Sequence, residues 1–160
     1  MKKILQRALL ALGLAFVVIQ FFGPGKTNPA VEATKTIAAG APMPAEVSAI
    51  LARACYDCHS HQTRWPWYSN VAPVSWFVIG HVNEARQHLN FSEWATYDPK
   101  RMKRKLEEIK EEVEEGAMPL PSYLPLHPGA KLLPAAVQAL GAWAIAERER
   151  LAQADSLAGK

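Results

Sequence analysis

Cys55-Tyr56-Asp57-Cys58-His59 is the stretch on which the reading of this chain turns. C-x-x-C-H is the spacing of c-type haem attachment. Each thiol can add to one haem vinyl group, and a three-residue spacing on a helical turn sets both sulfurs on one side. The adjacent imidazole then comes under the iron as its proximal ligand. Both cysteines of the chain lie in this pentapeptide, so neither remains for a distant disulfide. Other uses of the residues fit less well. A C-x-x-C redox pair calls for a βαβ context, and a structural zinc site calls for a second pair of ligands at similar spacing. His61 is close enough to complete a compact metal site only at the expense of severe crowding. A plain disulfide leaves His59 without a role. The cofactor expected is one haem c, covalent through Cys55 and Cys58, with His59 on the iron.

Outward from the motif the pattern is helical. Val47, Ile50, Leu51 and Ala54 recur at three- and four-residue spacing, predicting a helix from Pro44 into Cys55. Arg64 to Trp76 carries too much proline and tryptophan for a regular interior. Trp76 to Leu89 reads as a helix with a turn near Asn90. Asp98-Pro99 is a helix start, with a capping carboxylate and proline at the first position. Met102, Leu106, Ile109 and Val113 follow as an apolar stripe, and Gly116 is the stop. Met118 to Pro134 is a proline-rich loop. A last helix runs from about Pro134 to Gln153, with Val137, Leu140, Ala144 and Leu151 near one face. No strand pattern or internal repeat interrupts this. The expected fold is all-α, a domain of four or five helices.

The rest of the chain is arithmetic and topology. In 160 residues, 49% are hydrophobic and 21% charged, the composition of one globular domain. The net charge of +3 is too small to argue for nucleic acid. It also belongs to one end: Lys2, Lys3 and Arg7 precede the apolar run Ala8 to Ile19, and the remainder has equal numbers of each sign. A basic start and a short apolar run match an export signal. Phe21 and Phe22 stand where a cleavage site needs small residues, which favours an uncleaved signal anchor over a cleaved peptide. The basic residues would keep the N-terminus cytoplasmic and send the rest outward. The expected organisation is therefore a signal peptide or anchor over 1–22, a flexible tether over 23–43, a haem domain over 44–153 and a disordered tail over 154–160. The domain is expected to be exported across the inner membrane, periplasmic, and held to the membrane by residues 4–22.

For the sixth iron ligand Met118 ranks first, since Pro119 keeps its backbone extended and projects the thioether from a fixed loop. His81 and His88, two helical turns apart on one face, rank second and third. His127 is weaker, His61 is too close to His59, and Met43 and Met102 read as core. Arg64, Trp65 and Trp67 follow the motif closely enough to line the haem edge. An arginine there can fork a propionate, and indole N–H can donate to the same carboxylates. The charge block from Lys100 to Glu115 reads as a solvated helix face with Lys103–Glu107 and Arg104–Glu108 pairs, or as a docking patch for a redox partner.

Together these residues resemble a cytochrome c domain. More specifically they resemble the small bacterial haem-binding domain family. The likeness is carried by Cys55 to Ser60, Thr63-Arg64-Trp65-Pro66-Trp67-Tyr68-Ser69, Ala72 to Trp76, His81-Val82-Asn83, Leu89 to Trp94, Gly116 to Tyr123 and Leu126-His127-Pro128. It covers about Pro44 to Ala146. It implies a cytochrome c-like fold around a covalent haem, with the first and last helices of the domain crossing near Gly141 and Trp143, and an envelope location. The function expected is a one-electron carrier with His/Met-ligated iron, serving a redox partner protein. The alternatives are a haem-based sensor or small peroxidase with an open distal site near His81, and an interaction module whose iron is structural. Nothing resembles a nucleophile, base and oxyanion-donor pocket, so a carrier is favoured over a catalyst.

Overall fold

The apolar stripes and helix stops read from the sequence become, in the computed structural model, a helical structure that describes residues 1–158. It contains no strand among those residues. The α-helices are α1 (Lys2–Ile19), α2 (Ile37–Gly40), α3 (Ala45–Ala54), α4 (Tyr56–His59), α5 (Val74–His88), α6 (Pro99–Glu114) and α7 (Pro134–Ala158). Short 3-10 turns link them. The all-α expectation holds, with more pieces than the four or five foreseen, because α2 and α4 are single turns too short to carry a period.

Helices α6 and α7 form the largest helix pair. They run antiparallel: Lys103, near the start of α6, pairs with Asp155 near the end of α7, and Glu107 pairs with Arg148. Asp98 caps α6 by accepting from the Arg101 amide at 2.8 Å. Gly116 follows at φ +71, a backbone region that glycine enters without a Cβ clash. The basic start of α6, unfavourable to the helix dipole, finds partners outside its own helix. The Arg101 guanidinium lies 4.0 Å from the Tyr97 ring centroid, and Lys103 reaches α7. The foreseen Arg104–Glu108 pair forms, whereas Lys103 and Glu107 each bond to α7 instead of to one another.

Leu106, Ile109 and Val113 of α6 meet Leu140, Trp143 and Ala144 of α7 and Val47, Ile50 and Leu51 of α3 in one buried cluster. The first and last helices of the domain do pack together, and the Trp143 indole donates to the Pro42 carbonyl at 3.0 Å. Gly141 does not make that crossing. A Cβ added there would meet side chains of Glu114 and Lys110 on α6.

Two boundaries need correction. Residues 23–43 are not a free tether. Ile37 and Ala41 are fully buried in the core cluster, and the Ile37 amide donates to the Phe91 carbonyl at 2.8 Å. Apolar side chains isolated among Pro, Thr and Gly carry no period, so the sequence pattern hides the burial. The expected tail over 154–160 is likewise corrected: α7 continues to Ala158, and residues 159–160 lie outside the described part. Among the described residues no helix is long and apolar enough to cross a membrane. Helix α1, of 18 residues, spans about 27 Å at 1.5 Å per residue and carries Lys2, Lys3 and Arg7.

Candidate haem site

Helix α3 delivers the chain to the motif and stops there, with Cys55 as its C-cap. The amides of Cys58 and His59 donate to the Cys55 carbonyl at 3.1 and 2.9 Å, so α4 is one turn closed on its own first residue. That turn brings both thiols and the His59 imidazole to one wall of a cavity of about 640 Å³, ample for a large planar ligand. The side chains around it are mostly apolar, including Val78, Val82, Leu89, Phe91, Ile109 and Leu132.

The imidazole is oriented. His59 Nδ1 lies 3.1 Å from the Leu89 carbonyl oxygen. An oxygen there can only accept, so Nδ1 carries the proton and Nε2 is left with its lone pair. Burial also lowers the His59 pKa, favouring the neutral, ligand-competent ring. Burial pushes the Cys55 thiol up to about 12 and, with help from the Asp57 charge, the Cys58 thiol up to about 11. Both sulfurs are therefore protonated at neutral pH, unlike the low-pKa thiolates of redox pairs and metal sites. His61 is turned away from them, its Nε2 held 2.9 Å from Asn90 Nδ2.

Asp57, between the cysteines, organises the polar rim. It accepts from the Arg64 amide at 3.0 Å, from Arg64 Nε and Nη2 at 3.1 Å each, and from the Tyr123 hydroxyl at 3.0 Å. Arg64 thus lines the cavity, but its fork is engaged by Asp57. Trp65 and Trp67 do not line the cavity, and Trp67 is 77% exposed. The two indoles expected at the haem edge thus lie outside the cavity lining, whereas Pro66 between them and Tyr68 after them belong to it.

The sixth-ligand candidates come from two places, His81 and His88 from α5 and Met118 from the loop after α6. Met118, His81 and His88 all line the same cavity as His59. Met118 is held by its amide, which donates to the Glu112 carbonyl at 3.0 Å. His81 Nδ1 lies 2.9 Å from the Phe77 carbonyl, again leaving Nε2 as the free nitrogen. His127 lines the cavity too, stacked on Tyr123 with centroids 3.8 Å apart. Sequence reasoning missed Arg86. It donates to the Ser60 and Thr27 carbonyls, to the Thr63 hydroxyl and to Asn28 Oδ1, at 2.7–2.9 Å. One guanidinium thereby ties the exit of the motif to the segment before α2, a role visible only once distant segments meet.

The donor set, one oriented imidazole and two neutral thiols on an apolar cavity, fits a haem. The model of the haem-binding domain family matches residues 14–146. The chain belongs to the haem-binding domain family. That match begins inside α1, upstream of Pro44, in keeping with the burial of Ile37 and Ala41. No match to a curated protein or to a solved structure was found.

Proposed function

We propose that this haem-binding protein is a one-electron carrier of the bacterial envelope, with a c-type haem joined through Cys55 and Cys58. The observation that carries the reading is the His59 ring. Its Nδ1 is fixed by the Leu89 carbonyl, which leaves Nε2 with its lone pair, and the residue lines the cavity that both cysteines share. Bound iron would supply the one-electron couple. The chain would hold the group by two thioether links, orient the proximal imidazole through Leu89, and exclude water with the apolar walls. Each thiol would add across one vinyl C=C, its sulfur bonding one carbon while its proton goes to the other. Met118 is the sixth ligand in this reading, with His81 and His88 as alternatives. A thioether opposite histidine raises the reduction potential and closes the iron to exogenous ligands. Export across the inner membrane, anchoring through residues 4–22 and an as yet unidentified protein redox partner complete the proposal.

The test is Cys58→Ala and Met118→Ala in chains matured with the haem-attachment machinery. Cys58→Ala is expected to remove the two-link haem, read by mass under denaturing conditions. Met118→Ala is expected to keep the covalent haem and lose the low-spin reduced spectrum. Haem that extracts freely from the parent protein would sink the c-type reading. A second reading, a sensor or small peroxidase with an open distal side, draws on His81, whose fixed Nδ1 makes it a suitable polar donor. Rapid carbon monoxide binding to the reduced parent protein would favour it.

A further inference from the structure

Helix α1 stands clear of the domain, with no buried residue along its length, yet its end is attached at two points. Gln20 forms a reciprocal pair with Ala72: its carboxamide oxygen accepts from the Ala72 amide at 2.8 Å, and its nitrogen donates to the Ala72 carbonyl at 3.2 Å. The Trp76 indole donates to the Phe22 carbonyl at 2.6 Å. Gly23 lies so close to that indole that an added Cβ would sit 2.5 Å from Trp76 Nε1. Further on, Lys26 bonds Asn70, and Asn28 Nδ2 donates to the Thr63 carbonyl. The Gln20 and Phe22 bonds join the leader to the start of α5, and cleavage after residue 22 would break them.

Around this joint the surface is apolar and aromatic. Phe21 and Phe22 are 81% and 66% exposed, and Val74 and Phe77 are half exposed. Val74 and Phe77, one helical turn apart on α5, also line the haem cavity. Exposed apolar side chains are thus found along α1, at the joint and at the cavity. Aromatic side chains with a polar handle, such as Trp76, concentrate where protein meets the lipid headgroups.

We infer that the bilayer surface is the partner of this face. The leader is retained, α1 buries its apolar side chains in lipid, and the joint holds the domain with the cavity mouth at the headgroups. Lys2, Lys3 and Arg7 reach back to the phosphates by their long stems. The inference rests on the anchored reading above but needs no haem. It differs from a plain anchor in fixing which side of the domain faces the lipid.

Single spin labels on the full holoprotein test it, in vesicles of phosphatidylethanolamine and phosphatidylglycerol. Labels at Leu12→Cys, Val74→Cys and Glu149→Cys report the anchor, the cavity mouth and a remote surface. The expected result is oxygen contact and severalfold protection from a water-soluble nickel relaxant at positions 12 and 74, with none at 149. Gln20→Ala is expected to abolish the protection at 74 and leave that at 12. A position 74 as wet as 149, with 12 in lipid, overturns the seating and leaves the anchor standing. A wet position 12 overturns both, and a mature chain that begins near Gly23 does the same. Labels on Cys55 and Cys58 as well would mean that the covalent-haem reading has failed. In that case the same labels in a Cys55→Ala, Cys58→Ala chain still decide the seating.

Discussion

The two walls of the cavity are built differently. The motif wall is five consecutive residues, fastened on both sides by backbone and buried polar bonds. The Phe91 amide donates to the His59 carbonyl at 2.7 Å, the Thr63 hydroxyl to the Asp57 carbonyl, and the Ser60 hydroxyl to the Tyr56 carbonyl. Ser60 and Thr63 are buried. The opposite wall, from Met118 to Leu132, is proline-rich, and every residue of it but Ala130 is half-buried or exposed. It is fastened by fewer bonds, among them Arg53 to the Gly129 and Lys131 carbonyls and Tyr123 to Asp57. Two thiols and an imidazole must stand in register before any bond to a cofactor can form, so their wall is pre-organised. In the proposed carrier the facing wall would have only to present Met118 and exclude water, a task for which a loop with few fastenings suffices.

The comparison is broken most severely by removing what backs the motif wall from behind. Ile37, fully buried, donates its amide to Phe91, which in turn bonds His59. Ile37→Ala is expected to cost about 2–5 kcal/mol in denaturant unfolding of the apoprotein, as for other buried aliphatic truncations. A change near zero would restore residues 23–43 to the status of a tether. Arg86→Ala comes next, at about 1.5–3 kcal/mol for loss of charged hydrogen bonds, two of them to the buried Ser60 and Thr63. Arg86→Lys should recover only part of it, because an ammonium cannot reproduce the planar fork.

A smaller effect is gated by pH. In the unfolded chain the thiols ionise near their ordinary value of 9.0, whereas in the fold they are held at about 12 and about 11. A raised folded pKa gives stability that is whole below pH 9 and is lost as pH rises through the folded values. Apoprotein stability should therefore fall between pH 9 and about 11–12. The Cys55→Ala, Cys58→Ala chain should show no such fall, and an equal fall in both chains would remove the thiols as its cause. On the opposite wall, Tyr123→Phe deletes one bond to Asp57 and should cost only about 0.5–1.5 kcal/mol. A larger loss than that of Arg86→Ala would reverse the order of the two walls.

Much of this molecule was legible in one dimension. The helix that enters the motif, the capped α6 and most of α7 follow apolar recurrence, an Asp-Pro start and a glycine stop, all local signals. That Cys55, Cys58 and His59 share one cavity was legible for the same reason, since contiguous residues on one turn need no tertiary context to share a side. Met118, His81 and His88 were legible as candidates, and the fold brings all three to one cavity. The tryptophans misled because aromatic richness near a motif does not say which way a proline-bound loop turns.

What the sequence by itself determined is therefore the helical class, the attachment motif and the uneven charge of the leader. Each is carried by neighbours in the chain. Tertiary structure alone decided that Ile37 and Ala41 belong to the core, that Arg64 forks Asp57, that Arg86 closes the motif, and that Gln20 and Phe22 join the leader to α5. Those bonds link residues up to 59 positions apart. Their partners are chosen by the folded path of the chain, which no local period or spacing records.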